Sequence, residues 1–164
     1  LDKQFSSKRF TEELTISEES LRTKDAKILL DELSETLKSI TGSSGRSSFD
    51  PKDVEVSRGV FVVARNKAGE AVGCGGFRPV DENVAEVKRM YAKNTFQGIG
   101  TQVLSNLEKR AQELGYSAIC LETRLVNKRA VLFYEKRGYQ RTENYGKYVN
   151  NPEAVCFKKY LTFV

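Results

Sequence analysis

The sequence predicts an α/β (α+β) domain, a mixed sheet with helices on its faces. Three observations carry this. Apolar residues recur at helical period in three stretches. Short runs rich in Val, Ile, Phe and Tyr lie between them, bounded by Gly, Asn and Asp. The two kinds are interleaved along the chain, in the order β, α, then three β, α, β, α and two last β, as layered α/β architectures require.

A short strand is expected around Leu14 to Ile16. In LRTKDAKILLDELSETLKSI the apolar positions Ala26, Leu29, Leu30, Leu33, Leu37 and Ile40 have helical spacing. The Gly/Ser-rich TGSSGRSSFDPKD reads as a mobile surface loop, either a connector or the border of a substrate site. Phe61 to Ala64 and AVGCGGF form a hairpin about a turn at Asn66 to Gly69, and Val84 to Tyr91 is the next strand. From Gly100, Val103, Leu104, Leu107, Ala111 and Leu114 repeat at helix period, with Gly115 as the stop. Ser117 to Thr123 reads as a strand, Asn127 to Arg137 as a helix ended by Gly138, and Tyr139 to Thr142 and Val155 to Leu161 as the closing strands. No internal repeat appears, so residues 1–164 are expected to form one domain, with residues 1–10 as a poorly ordered N-terminal extension.

Composition narrows the function. The chain carries 27 basic and 22 acidic residues, but the basic ones form no stripe interleaved with stacking aromatics, so nucleic acid is not the expected partner. An anionic small ligand accounts for the excess of +5 equally well. No apolar run reaches the roughly 18 residues of a membrane span and no leader resembles a signal peptide, so a cytoplasmic location without membrane contact is expected. The chain opens at Leu1, and its first residues carry no weight. The absence of histidine excludes a His-based triad, a His-relayed cysteine nucleophile and a His-containing metal site. No metal is expected. Cys74, Cys120 and Cys156 are far apart and odd in number, as buried reduced thiols are.

The strand VAEVKRMY is unusual for the charges inside it. Two-residue alternation puts Glu86, Lys88 and Met90 on one face and Val87, Arg89 and Tyr91 on the other. Either this is an edge strand with a solvated face, or a central strand whose charged face lines a cleft. The second is preferred, since buried charges are expensive unless paired or open to a cleft.

The segment FQGIGTQVLSNL, Phe96 to Leu107, opens a helix on two glycines, and the free N–H groups of a helix start can cradle a phosphate. A dinucleotide-binding GxGxxG unit is one reading, with Gly98, Gly100 and Glu122 in place. It fits poorly, because Val103 stands where the third glycine belongs and Ala92 with KNTFQ separates Tyr91 from Gly98. The block from Glu86 to Tyr139, EVKRMYAKNTFQGIGTQVLSNLEKRAQELGYSAICLETRLVNKRAVLFYEKRGY, fits better elsewhere. Asn127, Ala130 and FYEKRGY at Phe133 to Tyr139 follow an Asn-x-x-Ala-x-x-x-Tyr-Glu-x-x-Gly-Tyr pattern, and the whole block resembles the core of the GNAT superfamily of acetyl-CoA-dependent N-acetyltransferases.

The resemblance implies a GNAT-type mixed, mostly antiparallel central sheet flanked by helices. It implies acetyl-CoA as cosubstrate, with the backbone of Met90, Tyr91 and Ala92 on the pantetheine arm. The amides of Gln97, Gly98, Ile99, Gly100, Thr101 and Gln102 would hold the pyrophosphate, Asn127 would contact the cofactor, and Tyr134 would protonate the departing thiolate. The sequence departs from the family loop RGxGIG. Aligned on GIG, Thr95 and Phe96 stand at the Arg/Gln and first Gly positions, and the segment is about two residues short.

Acyl transfer needs a neutral amine, and a lysine-like amine with a pKa of about 10.4 lies roughly 4 to 5 kcal/mol from neutral at pH 7. Glu86 matches the base of the family's histone-modifying branch and Glu122 that of its ribosomal-protein-modifying branch. Each has an alternative as the partner of Lys88, Arg89 or Arg124, and Glu86 is slightly favoured. Cys120, inside a strand, makes an unsuitable acetyl carrier, so direct transfer in a ternary complex is expected. Lys88, Arg89 and Arg78 would favour an amine that also carries a carboxylate or phosphate, with Tyr145 and Tyr148 as a lid, while a peptide acceptor and a homodimer stay open. The alternative is a non-catalytic CoA-binding domain.

Overall fold

The computed structural model describes residues 11–93 and 98–162. Seven strands form one sheet in the order β1-β2-β3-β4-β5-β7-β6. They are β1 (Thr15–Glu18), β2 (Val60–Arg65), β3 (Ala71–Pro79), β4 (Val84–Ala92), β5 (Ala118–Arg124), β6 (Gln140–Thr142) and β7 (Ala154–Tyr160). Every pairing is antiparallel except β4 with β5, which is parallel and requires a crossover. The crossover is helix α2 (Ile99–Glu113). Helix α1 (Lys24–Thr41) lies between β1 and β2 in the chain, and α3 (Lys128–Lys136) between β5 and β6. β4 is thus a central strand, as its buried charges suggested.

The helices form where cap and stripe agree. Thr23 caps α1 by accepting a hydrogen bond from the Ala26 amide, and the helix buries Ala26, Leu29, Leu33 and Ser34. Helix α2 buries Ile99, Val103, Leu104, Leu107 and Ala111 against the opposite face of the sheet. The larger core lies there, between α2, α3 and residues such as Val62, Phe77, Val87, Leu121 and Phe157. A second core joins α1 to Phe61, Val63 and Cys74. A third, small cluster of Tyr148, Ala154 and Cys156 closes the α1 face beyond β5, under the segment that follows β6.

Two expectations change. Gly/Ser-rich residues 41–53 hold two short 3₁₀ turns, Arg46–Ser48 and Pro51–Asp53, the second closed by a reciprocal capping box between Asp50 and Asp53. Strict alternation along β4 also fails. Lys88 pairs with Gly76 and Tyr91 with Cys74, so Arg89 and Met90 together oppose Gly75. Arg89 takes φ 57° at this bulge. The extra residue turns Met90 onto the α2 face with Val87, while Tyr91 joins the α1 core. Glu86 and Lys88 do share a face. Among the described residues no helix is long and apolar enough to cross a membrane.

Candidate active site

β4 and β5 are paired for only three rungs, the last joining Glu86 to Cys120. Past it β5 stays paired with β7, whereas β4 follows β3 through its bulge, and the two strands part. The gap is a cleft of about 150 Å³. Its walls are Val87 to Met90 on one side and Leu121 to Arg124 on the other. Leu33 and Leu37 of α1 line it from one face of the sheet, Ala130 and Tyr134 of α3 from the other, so the opening passes through the sheet. Thr41, Ser43 and Gly45 add to its rim, which makes the Gly/Ser-rich loop a border of the site.

The α3 face supplies a hydroxyl and an amide. Asn127 caps α3 by accepting from the Ala130 amide at 3.3 Å, leaving its own side-chain NH₂ free of that bond. Tyr134 stands seven residues on, with its ring in the core against Phe133, Tyr139 and Phe157. Burial pushes its pKa up from 10. The hydroxyl therefore stays a hydrogen donor over the whole working range, and it surrenders its proton reluctantly.

The start of α2 stands beside α3. Gly98 caps it at φ 71°, a conformation that costs an L-residue roughly 1–2 kcal/mol, and among the described residues no side chain hydrogen-bonds the cap. The first intrahelical bond runs from the Gln102 amide to the Gly98 carbonyl at 3.1 Å. This corrects the expectation for Gln102, whose N–H is spent inside the helix and whose side-chain amide donates to the Glu12 carbonyl. The amides of Ile99, Gly100 and Thr101 precede that bond, in the turn where a helix leaves its N–H groups unpaired. Gly100 packs on the Phe133 ring, which an added Cβ would touch at 3.4 Å. Arg137 brings a guanidinium to the same end, donating to Thr101 Oγ1 at 2.6 and 3.0 Å. Nothing in the sequence announced Arg137, since tertiary packing alone joins it to α2. Gln97, and the shortened loop with Thr95 and Phe96, lie outside the described residues.

The two carboxylates differ in what holds them. Glu86 is 1% exposed and does not line the cleft. Its Oε1 accepts from Arg78 Nε at 2.9 Å and Nη2 at 2.8 Å, and its Oε2 accepts from the Tyr145 hydroxyl at 2.5 Å. Arg78, expected in the cleft, is turned away to this pair and to Asp53 at 2.8 Å. Glu122 does line the cleft, and among the described residues its ion-pair partner is Arg124, with Nη1 to Oε1 at 3.0 Å. Desolvation raises its pKa, against the pull of Arg124 and Lys88.

Lys88 completes this face. It donates to the Tyr148 hydroxyl at 2.7 Å, with Glu86 at 3.7 Å, and desolvation lowers its pKa. Arg89 reaches back to α1 and the rim loop, donating to Ser34 Oγ at 2.6 Å and to the carbonyls of Leu30 and Ser44. Tyr145 and Tyr148 are in edge-to-face contact and cover the sheet face beside the cleft. The Tyr91 hydroxyl bonds Glu32 at 3.0 Å on the α1 side, and Met90, Tyr91 and Ala92 lie beyond the last β4–β5 rung, with their backbone on that edge free of strand pairing. Cys120 is buried, with its thiol pKa pushed up to about 11.

Residues 26–139 match the model of the acetyltransferase (GNAT) family. Over 104 residues, 62% of this chain and 67% of the relative, the sequence is 34% identical to an IAA acetyltransferase of Azospirillum brasilense. It is 29% identical over 135 residues to the uncharacterized N-acetyltransferase YsnE of Bacillus subtilis, covering 79% of this chain and 89% of that one. A GNAT family acetyltransferase from Elizabethkingia anophelis, solved with acetyl-CoA bound, superposes with a TM-score of 0.67 at 20% identity, covering 90% of this chain and 98% of its own.

Proposed function

The chain belongs to the GNAT family of acetyltransferases, and on that premise we propose that it moves the acetyl group of acetyl-CoA to a primary amine of a small molecule or peptide by direct transfer in a ternary complex. The observation that carries this is the cleft through the sheet where β4 leaves β5, with Tyr134 and the start of α2 on one face and Glu122 on the other. Two substrates can then meet from opposite sides.

Acetyl-CoA supplies a thioester-activated acetyl group. The residues present fit it: the first-turn amides of Ile99, Gly100 and Thr101, with the guanidinium of Arg137 beside them, suit a pyrophosphate. The unpaired β4 edge around Met90, Tyr91 and Ala92 suits the amide-bearing pantetheine arm, in the manner of an added strand.

Glu122 is the general base in this reading, directly or through a water. Desolvation raises the pKa of this carboxylate, which makes it a better proton acceptor, and a positioned base contributes about 10² to 10⁴ in rate. Glu86, committed to Arg78 and Tyr145, acts instead as a structural anchor. The amine nitrogen forms the new C–N bond as the C–S bond breaks, and sulfur leaves with the electron pair. Of the two protons the ammonium gives up, one leaves through Glu122 to water and one is left to balance the thiolate as thiol. Tyr134 donates a hydrogen bond to that sulfur and stabilises its charge. Cys120 takes no acetyl group, because a thiol held up to about 11 is almost wholly protonated near neutrality.

The test is calorimetric titration with acetyl-CoA, CoA and NAD, followed by thiol release in the presence of an amine panel. Binding of both CoA forms, no binding of NAD, and amine-dependent release are expected. NAD binding, or CoA binding without any amine-dependent release, would overturn the reading.

A further inference from the structure

Glu122 and Arg124 stand two residues apart on β5, share one face of the sheet and line the cleft together. Arg124 Nη1 lies 3.0 Å from Glu122 Oε1, yet both atoms are buried and neither has a hydrogen-bond partner among the described residues. Opposite charges are thus in contact without the alignment of a forked guanidinium–carboxylate pair. Buried polar atoms without an aligned hydrogen bond leave the site under-satisfied. A third orphan, Arg89 Nε, belongs to the opposite wall of the cleft. The charge of the lining is uneven as well. Lys88, Arg89 and Arg124 stand against Glu122 alone, and Lys147 on the covering segment is close enough to act on the Glu122 carboxylate.

We propose that the acceptor is a small zwitterion of the α-amino acid class. Its ammonium would take the place of Arg124 beside Glu122, and its carboxylate would accept the guanidinium of Arg124, with Lys88 as the second cation. One molecule then satisfies both orphaned atoms of the pair and brings its nitrogen to the general base. The same arrangement rejects other amines. An amine without a carboxylate leaves Arg124 unpaired, and a polyamine adds positive charge next to Lys88, Arg89 and Arg124. The assignment rests on the acetyl-transfer reading and specifies its acceptor.

The experiment measures kcat/KM for acetyl transfer to each common amino acid, its carboxamide and its decarboxylated amine, together with spermidine and a lysine-containing peptide blocked at both ends. The best acceptor is expected to be a free acid, with its amide and amine lower by about a hundredfold or more, since a site built to bond a polar group discriminates strongly against its loss. Arg124→Gln is expected to close that gap while leaving the acetyl-CoA affinity measured by titration unchanged. A best acceptor that lacks the carboxylate, or an Arg124→Gln variant that lowers acid and amine alike, overturns the assignment. So does the absence of turnover with every amino acid. Titration with acetyl-CoA in the same preparation then separates the outcomes: binding together with turnover of other amines removes only the zwitterion, whereas no binding removes acetyl transfer itself.

Discussion

Glu86 and Glu122 project from neighbouring strands onto the same face of the sheet, yet they live in different chemistry. Glu86 sits on the last rung that joins β4 to β5 and pairs directly with Arg78 on β3, and both of its oxygens accept hydrogen bonds from within the fold. Glu122 lies two residues past the equivalent rung, where the neighbouring strand has left, and its carboxylate faces a cleft with one imperfect partner. The parting of two strands, more than any difference in residue type, separates an anchoring carboxylate from an available one.

Substitutions should break this symmetry in opposite ways. Glu122→Gln is expected to lower kcat/KM by about 10² to 10⁴, with melting temperature and acetyl-CoA affinity close to wild type, read by steady-state kinetics and titration. Glu86→Ala should instead act through stability. It leaves Lys88 and Arg78 without their buried counterion, a change of about 3 kcal/mol or more, which corresponds to roughly 6 to 12 °C in melting temperature. Tyr134→Phe sharpens the picture on the other face of the cleft. The hydroxyl is a donor whose pKa is raised, so its loss should lower kcat about ten- to a hundredfold, in line with one hydrogen bond to a developing charge, while the dissociation constant of acetyl-CoA holds. The smallest effect is expected for Cys120→Ala: less than about twofold in kcat, with no acetylated protein detected by mass spectrometry in wild type or variant.

Much of this was legible before any coordinates. The three helices and seven strands fall close to where periodicity and turn residues put them, because stops such as Gly115 agree with the apolar stripes they bound. The expected strand Ser117 to Thr123 already held Glu122, while Arg124 falls one residue past its expected end and joins β5 only in the structure. The partner of Glu86 was not legible. Lys88 and Arg89 are its neighbours in sequence, but the residue that binds it is Arg78, and that pairing depends on the register between β3 and β4. The bulge at Arg89 was hidden for a related reason: alternation assumes a regular strand, and one inserted residue exchanged the faces of Met90 and Tyr91. Arg137 and the spent amide of Gln102 follow from packing at the start of α2, which no local pattern encodes.

The most direct test is the pH dependence of kcat/KM in wild type, Glu122→Gln and Glu86→Gln, measured side by side. Burial raises the pKa of Glu122, so in wild type activity should fall as pH drops through an apparent pKa above the ordinary carboxylate value of about 4.3. The same shift makes the fold bind that proton more tightly than the unfolded chain does. Glu122 therefore takes away stability as pH rises through its folded pKa, and Glu122→Gln should not be the less stable protein at neutral pH. The account predicts that the acid limb disappears in Glu122→Gln and persists in Glu86→Gln. A limb that survives in Glu122→Gln and vanishes in Glu86→Gln would contradict it and return the role of base to the anchored carboxylate.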